Sequence, residues 1–189
     1  MVVDHDTIDG RTQRGHRRRA QIIEATLVIV HRDGAAGVTH RTVAKEADIT
    51  TSLTLYYFAT LDELLVAALT SVTDAYTQRI RELIDTADDP LDGLARLVAE
   101  SAGPGRERAL AERELSTLAA RRPALRPAAR SWREGVAELA RTQTDDPDAV
   151  EAFVALCDGL CTAILLDDHE ADPDHIREVL RGALLRSSP

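Results

Sequence analysis

Apolar side chains recur every three or four positions along most of this 189-residue chain. This spacing places them on one face of an α-helix, so each such run predicts a helix. Clusters of Gly, Pro and Asp separate the runs and mark helix ends. We expect an all-α protein of about nine helices, at residues 17–33, 40–47, 51–57, 61–87, 91–102, 106–121, 124–142, 147–167 and 173–186.

Residues 49–58 form a decamer that looks like a strand, because it is rich in β-branched and aromatic residues (ITTSLTLYYF). A lone strand cannot satisfy its backbone hydrogen bonds, and the chain offers no second strand. Thr50 can cap a helix here, so we expect a short helix instead. Its hydroxyl side chains, at Thr50, Thr51, Ser52 and Thr54, suit close approach to base edges in a DNA major groove. The spacing fits a helix-turn-helix, but an ordinary helical hairpin with a polar exposed face fits it equally.

From Arg17 to Leu69, the chain resembles the N-terminal DNA-binding domain of the tetracycline-repressor (TetR) family. About fifty consecutive residues agree in type and spacing, which is more specific than a bare helix-turn-helix. The matching residues are Arg18-Arg19, Ile22 to Ala25, Gly37-Val38-Thr39, Val43 to Ala47, Ile49-Thr50, Tyr56-Tyr57-Phe58 and Leu61 to Leu65.

This resemblance implies roles for individual residues. It assigns Thr39 and Arg41 to DNA-backbone contacts at the start of the second helix. Thr60 is a further candidate DNA-binding residue. Positions that face bases and phosphates are implied for Thr50, Thr51, Ser52 and Leu53, and phosphate contacts for Tyr56 and Tyr57. Phe58 would pack the recognition helix onto the first helix.

The chain departs from the family pattern at three places. Asp48 stands where Gly is common, and Asp can adopt the left-handed turn required there. Thr54-Leu55 replaces a frequent Leu-Tyr pair, and Leu61 replaces a frequent Lys, which weakens the expected phosphate grip.

Charge is distributed unevenly along the chain, whose net charge is −9. Residues 1–60 carry a net charge of +1 and residues 61–189 carry −10. Within the first part, five arginines cluster at positions 11, 14, 17, 18 and 19. Arg17, Arg18 and Arg19 are therefore candidate DNA contacts, and the alternative is a solvated start of a helix.

The resemblance and the charge pattern predict three segments. Residues 1–16 would be a flexible leader, residues 17–60 the helix-turn-helix domain, and residues 61–189 a ligand-binding and dimerisation domain. The last two predicted helices have wide apolar faces, so we expect them to pair across a two-fold axis of a homodimer. The expected interface residues are Phe153, Leu156, Leu160, Ile164, Ile176, Leu180 and Leu184.

The middle helices are rich in Ala and Leu, so a cavity among them would favour a small hydrophobic organic effector. Tyr76, Arg113, Glu114 and Trp132 are candidate ligand contacts. Each of them also suits simple packing or an internal ion pair.

Other chemistry finds little support in the sequence. Cys157 and Cys161 lie one helical turn apart and suggest either a redox sensor or small buried hydrophobes. The acids and histidines between Asp167 and His175 match no defined metal-site spacing, so we expect no metal and no cofactor. No phosphate loop or supported nucleophile–base pair occurs, which argues against an enzyme.

The expected location is the cytoplasm. Two cysteines imply no disulfide framework, and the apolar runs fall short of the roughly twenty residues that span a bilayer. The function expected from the resemblance is that of a repressor released from a pseudo-palindromic DNA operator by a small molecule. The alternative is an all-helical small-molecule carrier or protein-interaction module without DNA binding.

Overall fold

A computed structural model describes residues 5–167 and 171–185, with side chains described from Thr12 onward. That part of the chain contains nine α-helices and no strand, which confirms the all-α prediction. The helices are α1 (His5–Asp33), α2 (His40–Glu46), α3 (Thr51–Tyr57), α4 (Leu61–Thr86), α5 (Pro90–Ala99), α6 (Arg106–Leu118), α7 (Arg126–Arg141), α8 (Pro147–Leu166) and α9 (Pro173–Leu185).

Helix α1 begins at His5, well before the expected start at Arg17. The expectation of a flexible leader through residue 16 is therefore wrong from His5 onward. Nucleating a helix is costly, whereas lengthening one gains a hydrogen bond for each residue fixed. Once Ile22 and Ile29 anchor α1 in a core, the helix can extend into polar sequence that carries no apolar pattern.

The chain divides into two compact units, residues 1–68 and residues 69–189. In the first unit, α1, α2, α3 and the start of α4 share a core. Ile22, Val43, Phe58 and Leu64 are each at most 2% exposed there. Phe58 is buried as expected from the resemblance.

The strand-like decamer forms helix α3. The Thr50 hydroxyl caps this helix by accepting a hydrogen bond from the backbone N–H of Leu53 at 3.3 Å. Thr54 is fully buried, so the expectation that its hydroxyl faces DNA is wrong. It lies one helical turn before Phe58 and therefore shares the inward face.

In the second unit, α5, α8 and α9 pack on one another, and α7 packs on α8. Phe153, Ile176 and Leu180 lie inside this core, with at most 3% of their surface exposed. Their assignment to a dimer interface is therefore wrong, because periodicity identifies an apolar face but not the element that covers it. The other expected interface residues are partly buried, namely Leu156, Leu160, Ile164 and Leu184.

Helix α8 has 20 residues, and an 18-residue window within it has a mean hydropathy of 1.9, enough by length and composition to cross a membrane. Asp148, Glu151 and Asp158 interrupt this helix, so its uninterrupted apolar runs remain far shorter than twenty residues. Phe153 and Cys157 on α8 belong to the buried core of the second unit. Core helices of soluble proteins pass the same test, so one such helix is weak support for a membrane span.

Candidate DNA-binding and ligand-binding sites

The turn between α2 and α3 is built from residues with special backbone roles. Thr39 caps α2, since its hydroxyl accepts from the Thr42 N–H at 3.0 Å and the Thr42 hydroxyl accepts from the Thr39 N–H at 2.8 Å. Asp48 has a positive φ of 49°, the left-handed conformation expected for this position. Together with Thr50, these residues stop α2 and start α3 at a defined angle.

The outer face of α3 carries the residues predicted to meet DNA. Thr51, Ser52 and Tyr56 are exposed, and Tyr56 leaves 80% of its surface free. Thr50 is also exposed, while Leu53 and Tyr57 are half-buried. The structure therefore brings the predicted set together on one surface, with the exception of Thr54.

A groove of about 580 Å³ runs between this face and α1. Arg14, Arg17 and Arg18 line its α1 side, and Leu53, Tyr56 and Tyr57 line the opposite side. The arginines on one wall and the tyrosine hydroxyls on the other suit a phosphate chain. The side chain of Arg11 lies outside the described residues.

Sequence reasoning missed Gln21, which also lines this groove. Its side-chain amide donates to the carbonyl oxygen of Ala47 at 2.6 Å, and its amide oxygen accepts from Arg18 at 2.8 Å. Gln21 thereby ties the end of α2 to α1 and holds one arginine in place. Only the polar character of Gln21 on an otherwise apolar helix segment could have indicated this role.

Four further predicted contacts lie at the edges of this surface. Thr39 and Thr60 are exposed, but their hydroxyls act as helix caps, that of Thr60 accepting from the Glu63 N–H at 3.1 Å. Arg41 is exposed on α2. The Arg19 guanidinium lies over the ring of buried Phe58.

A second candidate site is an enclosed pocket in the second unit. Tyr76, Arg113 and Trp132 line it, as predicted, together with aliphatic side chains from α5 and α6. The predicted Glu114 is not among the lining residues and is exposed, whereas Glu112 faces the pocket. Residues two positions apart on an α-helix, such as Glu112 and Glu114, lie about 200° apart around its axis. Only one of these two glutamates can therefore face the pocket.

The pocket holds a carboxyl group in apolar surroundings. Burial raises the pKa of Glu112 above its ordinary value, against the opposing effect of a hydrogen bond from the Ser116 hydroxyl. Burial also raises the pKa of Tyr76. The free space is about 30 Å³, room for a single water molecule, so an organic ligand can enter only if side chains move apart.

The two cysteines differ in exposure. Cys157 is buried, and its pKa is raised by a hydrogen bond with Cys161 and by burial, so it behaves as a small hydrophobe. Cys161 is partly exposed and lines the pocket.

No group of three or more metal-capable side chains occurs in the described residues. The predicted acid and histidine cluster lies partly outside them, at Asp168, His169 and Glu170.

Comparison with known proteins covers both units. A family model described as the tetracyclin repressor-like C-terminal domain matches residues 85–186. A crystal structure of the multidrug binding protein EbrR complexed with ethidium is 43% identical, with a TM-score of 0.74, over 88% of this chain and 97% of that chain. A TetR-family member (SCO1917) from Streptomyces coelicolor A3 is also 43% identical, with a TM-score of 0.79 and the same coverage.

A curated relative carries a name that states its function. The HTH-type transcriptional regulator PksA of Bacillus subtilis (strain 168) is 28% identical over 178 residues, 87% of this chain and 86% of that protein. PksA is named as a transcriptional regulator and SCO1917 as a TetR-family member, and these relatives give no support for a carrier or interaction module without DNA binding.

Proposed function

Because the chain belongs to the tetracycline-repressor (TetR) family of transcriptional regulators, we propose that it is a cytoplasmic, homodimeric repressor that a small molecule releases from a pseudo-palindromic operator. Ligand-responsive DNA binding is the activity of this family. We propose, in addition, that the chain represses transcription, that its operator is pseudo-palindromic, and that the residues and the class of effector described below take part.

The exposed face of α3 beside an arginine-lined groove is the observation that carries the proposal. In a major groove, the short side chains of Thr51 and Ser52 can approach base edges closely and both donate and accept hydrogen bonds. Arg14, Arg17 and Arg18 on the other wall supply positive charge for the phosphates that flank the reading helix. A chain with a net charge of −9 gains no general affinity for DNA, so binding depends on this local surface.

The outward face of α8 supports a dimer. Ala152, Ala155, Gly159 and Ala163 are exposed at helical spacing, and Leu166 leaves 80% of its surface free. On α9, Leu185 is 72% exposed, and a side chain added at Gly182 would meet no atom within 4 Å. Small apolar residues let helices approach closely, so these faces suit pairing of α8 and α9 with a second copy. Two recognition helices would then read half-sites about one helical turn apart, roughly 34–36 Å.

For the effector, we propose an aromatic cation. The related EbrR has been crystallised with ethidium, proflavin and malachite green, which are aromatic molecules with delocalised positive charge. In this chain, Glu112 lines the same pocket as the aromatic side chains of Tyr76 and Trp132. An aromatic cation would gain stacking and cation–π contacts with both rings and would favour the ionised form of Glu112.

Helix α4 offers the physical connection between the two activities. Its first turns supply Leu64 and Leu65 to the core of the DNA-binding unit, and Tyr76 on the same helix lines the pocket. An effector that separates the pocket walls must displace Tyr76 or its neighbours, and α4 would transmit this change. A coupling of about 1–3 kcal/mol would weaken operator binding 5- to 150-fold.

DNA binding is tested by selecting bound fragments from a genomic library and measuring their affinity by fluorescence anisotropy. Tyr57→Ala should weaken binding to all sequences to a similar extent, whereas Thr51→Ala or Ser52→Ala should change base preference. Thr86→Ala, an exposed threonine at the end of α4, serves as the control. If all three variants in α3 bind like the wild type, α3 is not the reading helix.

The effector class is tested without DNA, because aromatic dyes also bind DNA. Calorimetric titration with malachite green should show at least tenfold weaker binding to Glu112→Gln, which keeps the shape of the side chain and removes its charge. Glu114→Gln, on the outer face of the same helix, should bind like the wild type. Equal losses in both variants, or none in either, would exclude Glu112 as the partner of the cation and leave the DNA-binding result unaffected.

A further inference from the structure

A second, open cleft lies outside the effector pocket, between α6 and the start of α7, with a volume of about 410 Å³. Four arginines line it, at positions 113, 126, 130 and 133. Two acidic residues, Glu112 and Asp158, also line it. Arg126, Arg130 and Arg133 do not line the effector pocket.

The positive charge of this cleft is only partly compensated. Asp158 is shared, since one of its oxygens lies 2.9 Å from Arg113 and the other lies 3.4 Å from Arg133. Among the described residues, Arg126 donates only to backbone carbonyl oxygens, at 3.3 and 3.4 Å, and these carry no net charge. Burial raises the pKa of Glu112 and so disfavours its negative form.

Arg130 has no hydrogen bond or ion pair with any residue in the described ranges 5–167 and 171–185. Within the same ranges, the Nε–H of Arg113 is buried and lacks an acceptor. The cleft therefore retains donors that its own side chains do not satisfy.

Helix α7 bears a cost for this arrangement. Arg126 and Arg130 are four residues apart, and Arg130 and Arg133 are three apart, so like charges are neighbours on one helical face. Such like-charge pairs destabilise a helix. The rest of the second unit is acidic, so most of its cations could find acidic partners. A cleft with unneutralised arginines is therefore unexpected in this unit.

The other lining residues are apolar except Ser116 and Thr117, whose hydroxyls donate to Glu112 and to the carbonyl oxygen of Arg113. Ala119, Ala120 and Ala129 contribute methyl groups, and Trp132 contributes one side of its half-buried ring. Guanidinium groups bind carboxylates through paired hydrogen bonds, and the alanine and tryptophan surfaces can cover an apolar body attached to that carboxylate.

We propose that this cleft binds an amphipathic organic anion, a carboxylate carried on a small apolar body, with Arg130 as its principal partner. The site is distinct from the effector pocket in its charge preference, although Glu112, Arg113 and Trp132 separate the two spaces and line both. An anion here would neutralise the repulsion along α7 and stabilise the second unit.

The test uses the full-length protein and calorimetric titration with 4-phenylbutyrate. Its uncharged amide, 4-phenylbutyramide, tests the need for the carboxylate, and inorganic phosphate tests the need for the apolar body. We expect 4-phenylbutyrate to bind at least tenfold more tightly than either. Equal binding of the amide would overturn the anion requirement, and equal binding of phosphate would overturn the requirement for an apolar body.

Two variants locate the site. Arg130→Gln should weaken 4-phenylbutyrate binding at least tenfold and, without ligand, should raise the thermal unfolding midpoint, because it relieves repulsion and breaks no hydrogen bond or ion pair with the described residues. Arg141→Gln removes a cation from the same helix outside the cleft and should leave binding unchanged. If both variants weaken 4-phenylbutyrate binding equally, the attraction is general and the cleft is not the site. Unchanged affinity of Arg130→Gln would also overturn the proposal. DNA binding and malachite green binding are measured in parallel, so failure here is distinguishable from failure of the regulator proposal.

Discussion

The guanidinium carbon of Arg19 lies 4.9 Å from the centre of the Phe58 ring, which is only 2% exposed. This contact joins α1 to the residue that ends α3. A cation over an aromatic face is attracted by the negative charge density of the ring. Arg19 therefore has a packing role in the helix-turn-helix, besides the DNA contact predicted for it.

Replacing Arg19 with Ala should lower the free energy of unfolding by roughly 0.5–1 kcal/mol, the usual size of an exposed cation–π contact. Urea unfolding measured by circular dichroism provides the test. Arg17→Ala removes an exposed arginine from the groove and should weaken DNA binding without a comparable loss of stability. Identical stability of the two variants would mean that the ring contact contributes nothing.

Thr54 lies on the inner face of α3, where its contribution to stability can be measured. Its hydroxyl oxygen is buried and has no hydrogen-bond partner in the described residues. An unsatisfied buried polar group costs about 1–3 kcal/mol, so Thr54→Val should raise the free energy of unfolding by about 1 kcal/mol and leave operator affinity unchanged.

Thr77 supplies the matched control. It is also buried, but its hydroxyl donates to the carbonyl oxygen of Thr73 at 2.7 Å. Thr77→Val loses this bond and should destabilise the protein in the same unfolding assay. A gain at both positions would indicate that Val simply packs better, and a loss at Thr54 would show that its hydroxyl is satisfied.

The helix-turn-helix was predictable because its determinants are local. Thr39, Asp48 and Thr50 act on the backbone within a few residues, and each has the conformation or hydrogen bond expected from its type. These signals were enough to overrule the strand-like composition of residues 49–58. The prediction that the Thr54 hydroxyl faces DNA was wrong because it rested on residue type alone. Its position one turn before Phe58 places it on the inner face of α3.

The second unit was less predictable because its details depend on which elements cover which faces. Glu112 and Glu114 are chemically identical, and only the packing of α6 decides that Glu112 faces the pocket. Likewise, Phe153 and Ala155 both lie on an apolar helix, yet the large residue is buried in the core and the small one is exposed. The apolar pattern alone could not show that Phe153 is covered by other helices of the same chain.

The exposed face of α8 gives a prediction for the oligomeric state. Ala155→Glu combined with Ala163→Glu places two charges on this face and should yield folded monomers, because pairing would bury unpaired carboxylates. Sedimentation velocity measures the change. Glutamates at Leu160 and Leu184 would be less informative, since both leucines also pack against the core of their own subunit.

Ala75→Glu is the control for this experiment, since it adds a charge at an exposed alanine of α4. This variant should remain dimeric. A dimer that survives both charges on α8 would place the interface on another surface, and circular dichroism must show unchanged helix content for either result to count.

The buried carboxyl group of Glu112 makes stability depend on pH in a defined direction. Burial is the main cause of its raised pKa, so the folded protein holds this proton to higher pH than the unfolded chain, in which the ordinary value is 4.5. Between these two pKa values, the folded state binds more protons than the unfolded state. Stability must therefore fall as pH rises through this interval.

Glu112→Gln cannot ionise and should escape this loss. The difference in free energy of unfolding between Glu112→Gln and the wild type should therefore grow in favour of the variant from pH 4.5 upward and level off above the raised pKa. Chemical unfolding at a series of pH values measures this difference, in which the titrations common to both proteins cancel. Glu114→Gln, exposed on the same helix, should show no such growth.

A difference for Glu112→Gln that stays constant with pH would mean that the carboxyl group titrates alike in both states and is not held in an apolar pocket. A growing difference would identify the buried acid whose ionisation a bound aromatic cation would favour, and would predict that malachite green binds more tightly as pH rises through the same interval.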